Sequence, residues 1–369
     1  MRNNIITGVS LVALSAGMAQ AGGFELQTLD TSMMYADGNQ ASISYASIDA
    51  SIEGVNPLAG ASSKKQVVKD QTVTNFSGKF DINESLSFGI HTYRSGAIQL
   101  SGGNEAPAAA NSFAGGNIAP TGDVDLDSTA LMAKFALTDN LSVLGGVTQN
   151  NLKDGNVTTL AGSYDIVGKS EMGYVVGAAY SVPEIALRAE LLYQPKATIS
   201  TTLTYGGALP GTAELSLPDT YALSFQTGIA ADTLLLASYR KANWSKAQIA
   251  VKVPANALLN IDTSFEDSEA YSVGIGRRFS DALSGSITYS KEQGTSATST
   301  SLFSVSNGSD AISIGLQYKR DNMTISGGIS QRNVGDMTVN ATVAANTVRQ
   351  MQYTGNSVTA MGVKIAFAF

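Results

Sequence analysis

Cysteine is absent from the 369 residues, which excludes disulfide staples and thiol chemistry. Histidine occurs once, at His91. Outer-membrane phospholipases place a serine two residues after a strand histidine, and here that position is Tyr93. A nucleophile–base pair also needs an orienting third group, and none is apparent. The expectation is a lumen-facing polar residue and no enzyme. Charge is sparse as well, at 14% of residues against about 25% in an ordinary soluble domain. The net charge of −7 comes with no basic stripe, so nucleic acid is excluded as a partner. Beyond the N-terminus, no apolar run approaches the roughly 18 residues of a membrane helix. Any membrane span must therefore be made of strands.

The N-terminus marks an exported chain. Arg2 is the only charge before Glu25, and an apolar stretch runs from Ile5 to Ala16. Ala19-Gln20-Ala21 then supplies a small-x-small cleavage site. Residues 1–21 are read as a signal peptide, with the mature chain starting at Gly22.

The other end shows what kind of span to expect. From Thr359 to Phe369 every second residue (Thr359, Met361, Val363, Ile365, Phe367, Phe369) is apolar or nearly so. The residues between them are small or charged, Lys364 included. Successive strand side chains point to opposite faces, so this segment has one greasy and one lean face. A period-two last strand ending on an aromatic is typical of a bacterial outer-membrane barrel. Phe369 would also be the contact for the barrel-assembly machinery.

Counting outward from this segment yields fourteen strand-like stretches near 41–55, 67–82, 86–100, 123–137, 141–156, 170–182, 185–205, 211–229, 233–252, 268–280, 283–293, 309–319, 323–339 and 357–369. Six connections are tight and rich in Asp and Asn; seven are mostly longer, Ser101–Gly122 being the longest. Short turns at one end and long loops at the other, with even strand number, predict an all-β fold. It is a fourteen-stranded antiparallel transmembrane β-barrel over 41–369, with both termini in the periplasm. Residues 22–40 precede it and hold Phe24, Leu26, Leu29, Met33, Met34 and Tyr35. That greasy content predicts a short N-terminal hatch inside the lumen rather than a disordered leader.

Three stretches resemble a known family. Leu215-Ser216-Leu217-Pro218-Asp219-Thr220-Tyr221, followed by Ser238-Tyr239-Arg240-Lys241-Ala242-Asn243-Trp244-Ser245, looks like the L-N-L-P-E…W stretch of the FadL/TodX transporters. Gly23-Phe24-Glu25-Leu26 is similar to that family's G-F-x-L opening. Phe265-Glu266-Asp267-Ser268, running on to Gly274, is similar to its F-x-D strand. The hatch departs from the family by being shorter and lacking an Asn-Pro-Ala motif. The resemblance implies an outer-membrane channel for passive uptake of long-chain fatty acids or related hydrocarbons. Such ligands would be captured at outer loops, passed beside the hatch and released sideways through a gap in the wall.

The candidate ligand-binding residues are Phe24, Leu26, Leu29, Met33 and Met34 of the hatch, and Phe113 and Ile118 of an outer loop. Lys134, Arg188 and Arg278 on the lean face could meet a fatty acid carboxylate by a charge-assisted contact. Mutual pairing of such cations in a wet lumen is the plainer alternative. Asp123, Asp125 and Asp127 share one strand face and form a weak candidate for a divalent cation, with a solvated rim as the default. No cofactor and no dedicated metal site are expected. The expected surroundings are outer-membrane lipid and lipopolysaccharide, around a monomer holding a hydrophobic small-molecule ligand. A general diffusion porin for small hydrophilic solutes, or a structural or adhesion barrel, remains open.

Overall fold

A computed structural model describes residues 19–21, 24–57, 65–102, 118–343 and 347–369. Fourteen strands form a closed antiparallel barrel. In chain order they are β1 (Gln40–Ser51), β2 (Gln71–Asp81), β3 (Leu86–Ser101), β4 (Thr121–Ala136), β5 (Leu141–Leu152), β6 (Lys169–Val182) and β7 (Leu187–Gln194). The second half is β8 (Thr220–Ala230), β9 (Thr233–Ala242), β10 (Ser268–Arg278), β11 (Leu283–Glu292), β12 (Ser309–Arg320), β13 (Met323–Val334) and β14 (Asn356–Ala368). Each strand pairs with its neighbours in sequence order, and β14 closes on β1 from Ser357↔Ser51 to Ala368↔Gln40.

Alternation sorts the side chains as read from the sequence. Met361, Val363 and Phe367 of β14 are exposed, in a belt with Phe88, Leu131, Val176, Leu191, Ile287, Ile314 and Ile329. An exposed apolar surface running round a whole sheet is far larger than a water-soluble monomer tolerates, so it faces lipid. The six tight connections lie at one end. In two of them Asp232 (φ 58°) and Asp321 (φ 52°) take the left-handed backbone that Asp tolerates.

At the other end several expected strands are shorter in the wall than their alternating pattern. The stretch 185–205 divides into β7 and a loop strand Ala197–Tyr205, and 211–229 divides into Leu209–Leu217 and β8. The breaks fall at Pro195 and Pro218, which have no N–H to give a ladder. Asp219 ties the two joints together: its Oδ1 accepts from the Lys196 N–H at 2.9 Å and from the Tyr193 hydroxyl at 3.1 Å. The two loop strands pair as a hairpin above the barrel. Likewise β5, β9 and β13 end at Leu152, Ala242 and Val334, before the pattern runs out.

A charge on the lipid face should cost far more than one facing the lumen. Ile314→Arg, midway along β12, should lower unfolding free energy in lipid bilayers by about 2–4 kcal/mol. Ser313→Arg, one residue away on the lumen side, should cost much less. Urea titration of both variants in vesicles checks this; equal losses would place Ile314 off the membrane surface.

Candidate functional site

The hatch enters the barrel as a short strand, Phe24–Leu26, which pairs with β3 at Glu25↔Ala97 and Leu26↔Gly96. Ala19–Ala21, at the end of the expected signal peptide, pairs with the same strand on its other edge. Cleavage at residue 21 would leave the β3 pairing in place. Gly96 is required, because a Cβ there would collide with the Phe24 ring. Gly89 gives the same room to the Met34 sulfur. Leu29, Met33 and Met34 pack in one buried cluster with Tyr93, Met132, Leu144, Val175 and Leu192 of the wall.

Three lean-face cations, Lys79, Lys134 and Arg188, are occupied by this hatch. A 3-10 turn at Ser32–Tyr35 presents its last carbonyls to the wall. Lys134 Nζ donates to Met34 O at 2.6 Å, and Lys79 Nζ to Ala36 O at 2.5 Å and Gly38 O at 3.2 Å. The Tyr35 ring lies under Lys134 Nζ (5.0 Å) and the Arg188 guanidinium (4.4 Å). Thr31 Oγ1 donates to Glu190 Oε1 at 2.5 Å. Arg278 sits at the tight-turn end, where its Nε donates to Asp232 Oδ1 at 2.8 Å. The three cations expected to greet a carboxylate thus already hold protein oxygens or an aromatic face.

His91 faces the lumen and is buried, 2.6 Å from Ser77 Oγ through Nδ1 and stacked on Tyr93. Asp30 of the hatch acts on it electrostatically, but among the described residues no hydrogen bond joins the two. Asp30 keeps contact with solvent inside the barrel. Burial works against its carboxylate, yet Lys364, His91 and Ser32 outweigh it and hold the carboxyl below its ordinary value of 3.8. The Ser32 N–H lies 2.9 Å from Asp30 Oδ1.

Three motifs converge at the hatch entry. Trp244, the single tryptophan, is wholly buried, edge-on to Phe24 at 5.2 Å and to Phe265 at 5.5 Å. Asp267 Oδ1 accepts from the Ser245 N–H at 2.8 Å, and Asp219 O from the Asn243 N–H at 3.0 Å. The residues that suggested a family therefore build an anchor for the chain's N-terminal arm. Leu217, Pro218 and Thr220 of the first motif also line a cavity of about 30 Å³ against Leu26 and Thr28. That is room for little more than a water molecule, well below the roughly 300–1,000 Å³ of a ligand pocket.

Beside this arm the wall is interrupted. The β2–β3 ladder runs to Phe76↔Thr92 and resumes only at Val68↔Leu100. Between them, residues 70–75 and 93–98 face each other without pairing. The cause is in β3, whose register against β4 shifts between Arg94 and Gly96. The extra residue, Ser95, turns inward and donates to Leu126 O at 3.2 Å. Arg94 fills the resulting window: Nη1 donates to Gln71 Oε1 on β2 at 2.6 Å, and Nη2 pairs with Asp125 Oδ1 on β4 at 2.9 Å. The irregularity itself leaves no sign in the alternation of His91-Thr92-Tyr93-Arg94, and only Gly96 hints at it.

Two outer-loop expectations change. Phe113 lies outside the described residues. Ile118 is fully buried in the same apolar cluster as Leu100 and Val124, so it is core and offers no capture surface. Exposed apolar side chains on the outer loops include Leu258 and Val348 instead. Asp123, Asp125 and Asp127 do share one face, but each has its own cation. Lys69 lies 3.1 Å from Asp123 and Lys153 2.7 Å from Asp127, with Arg94 on Asp125. Among the described residues they form no metal-holding group.

The chain matches no family model and no curated protein. Solved structures similar to it include a FadL homologue of Pseudomonas aeruginosa, with TM-score 0.74 and 12% identity over 92% of each chain. The toluene transporter TodX of P. putida gives TM-score 0.64 and 13% identity over 91% of each chain. The toluene transporter TbuX of Ralstonia pickettii gives 0.62 and 13% over 91% of this chain and 90% of that one. The resemblance read in the sequence holds at the level of the fold.

Trp244 reports on hatch docking because it is the only tryptophan and touches Phe24. Phe24→Ala should red-shift its emission and raise its quenching by acrylamide; an unchanged spectrum would mean the arm does not shield it. The depressed Asp30 carboxyl adds stability that is complete above its ordinary value and lost as pH falls below it. Trp244 emission should therefore shift as pH drops from about 5 to about 3. Asp30→Asn should flatten that part of the titration, and equal curves would remove Asp30 from hatch docking.

Proposed function

We propose that this chain is a passive outer-membrane channel for hydrophobic small molecules, with its tight turns on the periplasmic side. The observation that carries this reading is the window between β2 and β3. It opens the wall beside the hatch, where the lipid-facing belt gives way to the charged positions Arg94, Asp125 and Asp127. A water-filled porin has no use for a gap in its wall, whereas an apolar solute that leaves sideways never has to cross water. The hatch blocks the straight route and its arm lies directly behind the window. Similarity of fold to a FadL homologue and to toluene transporters supports the same class of solute.

Affinity would come from burial of apolar area, about 25 cal/mol per Å², less the cost of ordering the solute. No energy source is needed for a solute moving down its gradient. Because Lys134 and Arg188 are engaged by the hatch and Arg278 by Asp232, a neutral hydrocarbon suits the lumen better than a carboxylate. Toluene and oleate test that choice side by side.

Uptake of labelled toluene and oleate is to be compared in cells lacking and expressing the chain. Expression should raise toluene entry and leave entry of a small sugar unchanged; a gain for the sugar alone would make it a porin. Sideways exit is tested by Val73→Cys with Ser95→Cys, two positions midway along the window in a chain with no other cysteine. Cross-linking the pair should cut toluene entry about tenfold or more, and reduction of a disulfide should restore it. Entry undiminished in the cross-linked barrel would rule the window out as the exit.

A further inference from the structure

The window between β2 and β3 is bounded by backbone pairing at both ends. At one end the ladder stops at Phe76↔Thr92. At the other the Lys69 N–H donates to Gln99 O at 3.0 Å, beside the Val68↔Leu100 bridge. Within the open stretch, Arg94 Nη1 reaches across from β3 to Gln71 Oε1 on β2 at 2.6 Å. Its other contact, Nη2 to Asp125 Oδ1 at 2.9 Å, joins strands that are already paired. The β3–β4 ladder runs from Leu86↔Phe135 to Ser101↔Thr121 on either side of it. We propose that Arg94 is the latch of this window. A solute leaves when the Gln71 contact releases, while Asp125 keeps the guanidinium on β4. This regulation rests on the reading of the window as the exit.

The two contacts differ in the way a latch requires. Asp125 is a carboxylate, so its contact is a charge-assisted ion pair; Gln71 offers a neutral amide oxygen. Release at Gln71 therefore leaves the cation compensated, whereas release at Asp125 would strand it. Asp125 is itself held, since its Oδ1 accepts from Gln99 Nε2 at 3.2 Å. The strand that carries Gln71 has no ladder to β3 over residues 70–75, so it is the edge free to move. Burial sets this pair apart from others on the same face. The Arg94 and Asp125 side chains are 15% and 20% exposed, against 49% and 44% for Lys153 and Asp127. Water screens the Arg94 pair least, so it holds where a surface pair would contribute little. A planar guanidinium can serve two acceptors on different strands, and a lysine ammonium at the same place is a point charge that would stay with Asp125.

A thiol behind the latch reads its opening without any solute. The chain has no cysteine, and Val73 is 6% exposed on the window edge, in one apolar cluster with Phe24 and Leu26. The full-length barrel carrying Val73→Cys is reacted with N-ethylmaleimide in lipid vesicles. Adding Gln71→Leu, which leaves the Arg94–Asp125 pair intact, should speed labelling about tenfold, the effect of one lost hydrogen bond to a charged group. Arg94→Lys should do the same. Lys153→Gln, which removes an ion pair of the same face away from the window, should leave the rate unchanged. A general loosening of the barrel would instead raise all three rates together and overturn the proposal. Each variant is first checked by the heat-modifiable gel shift of a folded barrel, and Arg94→Lys serves alone if Gln71→Leu does not fold. Equal labelling of the parent and a folded latch variant also overturns the proposal. The result is separable from the exit itself. Faster labelling, with toluene entry indifferent to the Val73–Ser95 cross-link, keeps the latch and removes the exit. Equal labelling, with entry cut by that cross-link, removes the latch alone.

Discussion

Backbone hydrogen bonding is the constraint on which everything else in this barrel depends. A strand facing hydrocarbon has no water to satisfy its N–H and C=O groups, so each must find a partner along the sheet. Closure of β14 on β1 meets that demand for the ends of the sheet. The even strand number, the single turn end and the outward apolar rows follow from it. It also makes the β2–β3 window conspicuous, since a gap leaves donors and acceptors that a continuous wall would have paired. The chain answers with side chains and borrowed backbone. Leu26 and Glu25 pair with Gly96 and Ala97 from the inside, and Arg94 reaches Gln71 and Asp125 across the opening. A gap that is stabilised in this way is a built feature of the wall.

The same side chains fix the hatch. A lysine is costly to bury unless it is paired, and a short 3-10 turn leaves carbonyls without donors. Lys79 and Lys134 resolve both at once by donating to the carbonyls of Met34, Ala36 and Gly38. The Tyr35 ring lies under Lys134 as well and under the Arg188 guanidinium. Lys79, Lys134 and Arg188 therefore serve the hatch first, and any charge left for a solute is what that network does not consume.

The period of two in segments such as 309–319 and 357–369 was enough to read strand number, orientation of the rows and closure. It was enough because lipid on one side and a polar lumen on the other impose the same contrast on every stave. Where that contrast ends, the reading ends. The residues after Pro195 and before Pro218 continue to alternate although they have left the wall, because a loop hairpin also has two faces. The role of Lys134 and Arg188 could not be read, because their partners are backbone carbonyls and a ring some hundred residues away. Trp244 and Phe265 were visible as motif residues, but a motif does not say whether its aromatic touches a ligand or, as here, another part of the chain. Ile118 illustrates the reverse: an isolated apolar residue in a Gly-rich loop reads as exposed until tertiary packing covers it.

The magnitudes also indicate which part of the hatch a solute could displace. A charge-assisted hydrogen bond contributes about 1.5–3 kcal/mol, and the turn at residues 31–38 is held by several of them. Burying one aromatic solute recovers only about 1.5–3 kcal/mol, too little to free that knot. The arm at Phe24–Leu26 is held differently, by two strand pairings and by edge-on aromatic contacts worth about 0.5–1.5 kcal/mol each. A hydrocarbon that replaces Phe24 against Trp244 keeps most of the apolar contact the arm gives up, so the exchange is close to balanced. The arm also lies on the strand that forms the window edge, so under the proposed sideways exit its withdrawal would clear that window while the turn stays held by its own hydrogen bonds. Emission from Trp244 during solute binding reads that motion directly, and a constant spectrum at saturating toluene would exclude it.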